Sequence, residues 1–402
     1  MNQVLQALLD PFREFRRHRL WRASHLRQAL ADVLGPARRH EDDYGTHLRL
    51  TLGWLKTAQE AAGVGVARGW SFADGWLPPC LASGAELAET WLVVAPLAVQ
   101  PELTVLAGRL LDDVLARPTA EGAVSGMDGV ALPLFDQGRI LRGLLAGHTV
   151  LQRQDCLEAG RKLGRWLLAR QQADGGLPAP DGMPRAHHVS AAWALAALGR
   201  VTGEAASSEA ARRALAWTLA RQTPCGWFDA NAAVADGVPS TAEIARTLRG
   251  VLETAALLDD EAALAAAERG ALALLKQRRG DGGLDGAFDD EWDGCDSAVC
   301  VSGVAQAAVL WLRLAQLGRG PRWRDAGGLA IAYVKRTQRL GVDEFPAVRG
   351  AVPGAAPLWG ACERFGYPTE AAKHFVDALV MDRVNVTVPP DFTAAPPTGN
   401  RP

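Results

Sequence analysis

The feature that most limits what this chain can fold into is a repetition of its own helix ends. Three segments follow one plan: 163–177 (LGRWLLARQQADGGL), 214–228 (ALAWTLARQTPCGWF) and 272–284 (LALLKQRRGDGGL). Each is an amphipathic stretch that ends in a basic residue and Gln, then a polar gap, then Gly and a bulky apolar residue. Basic side chains suit the negative end of a helix, and Gly supplies the left-handed residue that closes it. The plan recurs more weakly at 54–64 and 333–342.

Between these lies a second set of helices, beginning near Glu86, Phe135, His188, Thr241, Ser297 and Pro368. They are rich in Ala, Gly and Leu on every side, so they are expected to be buried on most faces. The first set carries more charge on one side. Two concentric layers follow: charged-backed helices outside, Ala/Gly-rich helices inside. Six such pairs fit the chain, at 46–98, 101–150, 154–202, 206–258, 260–317 and 321–381. Their spacing of about 50 residues suits helical-hairpin repeats. The expected class is all-α, a toroid of six hairpins. Periodicity alone does not separate a closed ring from an open arc.

This gives an N-terminal helical extension (1–45), the toroid (46–383) and a Pro-rich tail (384–402), the tail expected to be disordered or draped on the surface. Arg13, Arg16, Arg17, Arg19 and Arg22 crowd the extension. They fit a partner or membrane-surface contact, or a solvated cap on the first hairpin. With a net charge of −2, nothing global points to nucleic acid. Six scattered cysteines without a CxxC fit buried thiols in a reducing compartment. No secretory signal is visible, and no stretch reaches the ~20 apolar residues of a membrane span, so the expected location is cytoplasmic.

The helix-end pattern Gln-x-x-Asp-Gly-Gly resembles the repeat of the α/α-toroid superfamily, which includes terpenoid cyclases, prenyltransferase β-subunits and many carbohydrate-active enzymes. The chain is more closely similar to bacterial toroid proteins of exopolysaccharide biosynthesis clusters. The likeness is carried by Phe135-Asp136-Gln137-Gly138, Ala192-Trp193-Ala194-Leu195, Gly226-Trp227-Phe228, Thr247-Leu248-Arg249-Gly250, Gly303-Val304-Ala305-Gln306, Pro357-Leu358-Trp359-Gly360 and Ala371-Ala372-Lys373. It runs over about 46–381. The chain departs from that pattern at Arg139, at His187-His188 and near Ala242. The resemblance implies a glycan-active enzyme; Arg139, Gln306 and Lys373 are expected among the substrate-binding positions. No cofactor is expected and no metal ligand is assigned, while the metal requirement stays open on the sequence.

In such a ring the inner-helix N-termini surround one mouth, where anions are favoured and carboxylate acidity shifts. The acids expected there are Glu89, Asp136, Glu243 and Asp296. Two carboxyls across a pocket serve glycoside hydrolysis; a lyase or epimerase needs a base beside a carboxylate. Acids at helix starts are also caps, as are Ser240 and Thr241. His188, with His187 before it, is the candidate base; His374 is a further candidate, and His148 is read as structural. The acidic segment 281–296 lacks the ligand order of an EF-hand. Trp70, Trp76, Trp227, Trp292 and Trp359 fall in expected loops, where indoles stack on sugars or pack under the loop. Trp166, Trp193, Trp217 and Trp311 are expected in helix cores. Hydrolase, lyase or epimerase action on a glycan, an isoprenoid cyclase and a non-catalytic glycan- or partner-binding ring all remain open on the sequence.

Overall fold

The computed structural model describes residues 13–34, 43–234, 237–341, 345–390 and 392. After α1 (Ala23–Leu34), twelve helices alternate between two layers. The outer ones are α2 (Tyr44–Ala62), α4 (Glu102–Leu115), α6 (Gln154–Leu168), α8 (Ala205–Leu219), α10 (Glu261–Lys276) and α12 (Arg322–Thr337). The inner ones are α3 (Leu81–Leu97), α5 (Leu134–Leu151), α7 (Val189–Thr202), α9 (Thr241–Leu258), α11 (Val301–Gln316) and α13 (Thr369–Val384). Each inner helix packs on the next, and α13 packs on both α3 and α2, so the ring is closed. The chain is an all-α toroid.

Short turns lead from each inner helix to the following outer one. Long loops return to the next inner helix, so they gather at the inner N-termini and build one mouth. Small residues let the inner helices approach closely. A Cβ on Gly138 would sit 2.7 Å from Ala191 Cβ of α7, and one on Gly143 would sit 2.6 Å from Ala85 O of α3. That is the reason for the Ala/Gly richness of the inner set.

The repeated helix-end Gln has a mechanical role. Gln171, after α6, donates to Ala210 O of α8 at 2.9 Å, and Gln222, after α8, donates to Ala266 O of α10 at 2.9 Å. Gln338, after α12, donates to Thr51 Oγ1 of α2 at 2.6 Å and closes the outer ring. Each of these three glutamines hooks one outer helix to its successor.

Two expectations change here. Cys300 and Cys362 form a disulfide, with Cα atoms 5.5 Å apart. They are 62 residues apart in sequence and meet because Val299–Cys300 pairs antiparallel with Ala355–Ala356, a contact invisible in cysteine spacing. The start of the tail does not lie on the surface: Val388 and Phe392 are buried. Among the described residues no helix is long and apolar enough to cross a membrane. In the extension, His18 and His25 are buried against Phe365 and Phe72, while Arg13, Arg16, Arg17 and Arg22 face outward.

Candidate active site in the ring lumen

The inner helices are apolar except along one stripe. Their sixth and ninth residues are Glu86 and Glu89 in α3, Arg139 and Arg142 in α5, Arg246 and Arg249 in α9, Gln306 and Val309 in α11, and His374 and Asp377 in α13. Three-residue spacing puts both on one helix face, and all ten line the central lumen. In α7 the equivalent positions are Ser190 and Trp193, and Lys373 joins from α13. The lining holds three carboxylates, five cations and one histidine.

These charges are buried, so they must satisfy one another. Arg139 Nη2 donates to Glu86 Oε2 at 2.7 Å, and Arg142 Nη2 donates to Glu86 Oε1 at 2.5 Å. Arg142 Nε reaches Glu89 Oε1 at 3.3 Å. Lys373 pairs with Asp377 at 2.8 Å, and Thr90 donates to the other Asp377 oxygen at 2.7 Å. Arg246 pairs with Glu370 at the outer edge, and Glu253 holds Arg249 at 2.6 Å at the inner edge. Two aromatic rings divide the cations. Phe135 lies between Arg139 and Arg246, at 5.7 and 5.2 Å. Trp193 lies between Arg142 and Arg249, at 4.0 and 5.5 Å.

Glu86 and Glu89 are one turn apart yet pushed in opposite directions. Burial alone would raise Glu86, but Arg139 and Arg142 outweigh it and hold that carboxyl well below its ordinary range. Glu89 is wholly buried and has the weaker partner, so desolvation wins and its carboxyl is raised. Glu89 Oε2 and Ser190 Oγ have no hydrogen-bond partner among the described residues. Two neighbouring carboxyls with acidities pushed apart are the arrangement that acid–base chemistry uses. Lys373 and Arg139 are both held above their ordinary values; burial opposes this, and the neighbouring carboxylates prevail.

Of the sequence candidates, Glu89, Arg139, Gln306, Lys373 and His374 converge here. Asp136 stands at the rim, 3.2 Å from Arg139. His188 is a neighbour only: its ring stacks on Phe135 with centroids 5.8 Å apart, and Nδ1 meets Leu177 O at 3.0 Å. Burial lowers it to about 4 and His187 to about 3, so both are neutral. Glu243 is a correction. It closes a capping box with Ser240, and its other oxygen accepts from Ala233 N at 2.9 Å, so both oxygens serve the loop. Asp296 likewise serves backbone: it accepts from Ala298 N in its own loop and from Ala361 N in the loop before α13. The tryptophans are corrections too. Trp70 is buried among Phe72, Phe345 and Tyr367. Trp227 and Trp292 pack edge to face at 5.2 Å under a loop. Trp359, 44% exposed, is outside the lumen lining. Trp193, expected in the core, is the indole that faces the lumen.

Sequence reasoning missed Glu86, Arg142, Arg246, Arg249 and Asp377. The signal was present: charges spaced three apart inside otherwise apolar helices must share a polar interior. Among the described residues, no group of three or more His, Cys, Asp or Glu side chains is placed to hold a metal ion.

No family model matches the sequence, and no curated protein matches it either. Solved structures match the fold. Unsaturated glucuronyl hydrolase from Bacillus sp. GL1, described as responsible for the degradation of glycosaminoglycan, aligns with a TM-score of 0.71 at 16% identity, over 86% of this chain and 98% of that one. Cellobiose 2-epimerase from Bacillus thermoamylovorans aligns at 0.66 and 10% identity, over 84% and 97%. The epimerase from Spirochaeta thermophila aligns at 0.63 and 16%, over 83% and 95%. The fold is theirs. At these identities the likeness is one of architecture, and it spans nearly the full length of each of these proteins.

Proposed function

We propose that the lumen is the active site of a glycan-active enzyme of bacterial polysaccharide metabolism, acting as hydrolase, lyase or epimerase. The observation that carries this is the Glu86–Glu89 pair, with acidities driven apart beside two arginines. Glu89 is the proton donor. Glu86 and the arginines hold charge that develops on the sugar, and the faces of Phe135 and Trp193 offer stacking surfaces. His374, 3.6 Å from Asp377 on α13, the helix packed beside α3, is a second group placed to exchange a proton. The solved neighbours have names of both hydrolase and epimerase type, which sets the first substrates: unsaturated uronyl oligosaccharides and cellobiose.

The test is incubation with these and with neutral and acidic polysaccharides, followed by NMR and mass spectrometry. Released sugars, unsaturated ends or inverted centres that vanish in Glu89→Gln support the reading. No change in any substrate with the folded wild-type chain removes it. The isoprenoid-cyclase reading is disfavoured by the same lumen, because five cations repel a carbocation where such an enzyme needs aromatic faces. A non-catalytic ring would bind these sugars without converting them, and with equal affinity in the Glu89→Gln variant.

The outward arginines of the extension support a second, separate reading, contact with an anionic membrane or partner surface. Co-sedimentation with phosphatidylglycerol vesicles, lost in Arg16→Glu/Arg17→Glu, tests it; no sedimentation at low salt discards it.

A further inference from the structure

The segment after α13 turns back into the ring. Asn385, in the left-handed conformation, caps α13. Val386 O then accepts from Gln316 Nε2 at 2.8 Å, at the last residue of α11. Val388 O accepts from Arg249 Nη2 at 3.0 Å, deeper in the lumen. Val388 and Pro389 finish against the lumen wall beside Val309. The segment comes in from the end opposite the long loops and climbs to the level of the ninth residues.

Three observations distinguish it from a wall. It is held by few bonds: among the described residues, no backbone–backbone hydrogen bond ties 385–392 to the ring. Its chemistry matches the apolar lining at Phe135, Trp193 and Val309 but not the charged lining, since Val and Pro satisfy none of the Arg, Lys, Glu and Asp side chains there. Arg249 receives only a peptide carbonyl there, and burial depresses it despite Glu253. Finally, it leaves little room. The lumen retains about 40 Å³, space for about three waters, whereas small-molecule sites run to roughly 300–1,000 Å³.

We propose that residues 386–389 are a displaceable plug, which fills the inner lumen in the resting chain and is expelled when an oligosaccharide-sized ligand binds. This rests on the lumen being a ligand site. While the plug is seated, apparent affinity is reduced by the fraction of open chains. A ligand that brings polar or anionic groups to Arg249 replaces a single carbonyl contact with better ones.

The test reads access to the lumen separately from sugar conversion. Val309→Cys is made in the full chain and in a chain ending at Val384, both checked for native circular dichroism. Alkylation at position 309 is followed by peptide mapping, which separates it from Cys225 and Cys295. At least tenfold faster labelling in the shortened chain is expected; equal rates overturn the plug. Gln316→Ala, which keeps the whole segment and removes one anchor, should quicken labelling about fivefold, the loss of one ordinary hydrogen bond. It keeps the proposal testable if the shortened chain does not fold, and unchanged labelling in it overturns the plug. Sugar binding is measured on the same proteins. An opened lumen that binds no sugar retains the plug and overturns the glycan reading.

Discussion

Replacing Glu86 by Gln keeps its shape and removes its charge, which makes it the sharpest probe of the lumen network. The wild-type carboxylate accepts from Arg139 at 2.7 Å and from Arg142 at 2.5 Å. Its side chain is 9% exposed, so solvent and salt screen these pairs weakly. In the variant one amide face must point its NH2 group at a guanidinium, and two buried cations lose their counter-charge. Breaking a buried pair from one side costs about 3–5 kcal/mol. A chain of 402 residues has an unfolding entropy of roughly 0.8 kcal/mol/K at about 2.1 cal/mol/K per residue. The expected fall in Tm is therefore about 4–6 °C, read by scanning calorimetry at pH 7. The pH dependence follows from the direction of the shift. A depressed carboxyl contributes stability that is full above its unfolded value, near 4.5, and is lost as pH falls toward the lower folded value. The gap between wild type and variant should hold from pH 8 to 5 and narrow below pH 4.5. A gap under about 1 °C at pH 7, or one that persists undiminished at pH 3.5, would refute the claim that this carboxylate anchors the lumen.

Three further outcomes follow from the same geometry. Glu89→Gln should behave in the opposite sense: because burial raises this carboxyl, its neutral form suits the fold, and the variant should gain stability over wild type as pH rises, in the same calorimetric series, while its turnover falls roughly 10²–10⁴-fold. Glu243→Ala should cost about 1 kcal/mol through the lost capping box and leave sugar conversion unchanged; a selective loss of turnover would return Glu243 to the site. Opening the Cys300–Cys362 link, by reduction or Cys362→Ser, should lower stability by about 4 kcal/mol for a closed loop of 62 residues, or about 5 °C in a melt; an unchanged melt would show that the link contributes nothing to the fold.

How much of the site was legible can be judged residue by residue. Glu89 was expected at an inner-helix start; it is the ninth residue of α3, and it lines the lumen together with Arg139, Gln306 and Lys373. Glu243 satisfied the same positional rule and lies elsewhere, because a helix-start acid three residues after a serine is pulled into the cap. His188 sits at the mouth but points to a loop carbonyl. Trp70, Trp227 and Trp292 were misplaced for one reason: an indole under a long loop buries more area against neighbouring aromatics than it would exposed on a rim.

The sequence by itself determined the local and periodic features: helices at 3.6-residue spacing, an apolar inner set, six pairs, and Gln and Gly at the ends of most outer helices. These are set by residues within a few positions of one another, so no distant partner is needed to read them. Only the tertiary structure decided that the ring closes, through Gln338 on Thr51 and α13 on α3. It also decided that Cys300 meets Cys362, that the stripes of six helices face one lumen, and that residues 386–389 fill it. Each of these joins residues far apart in the chain, and their contact depends on the summed rotation of all the hairpins between them.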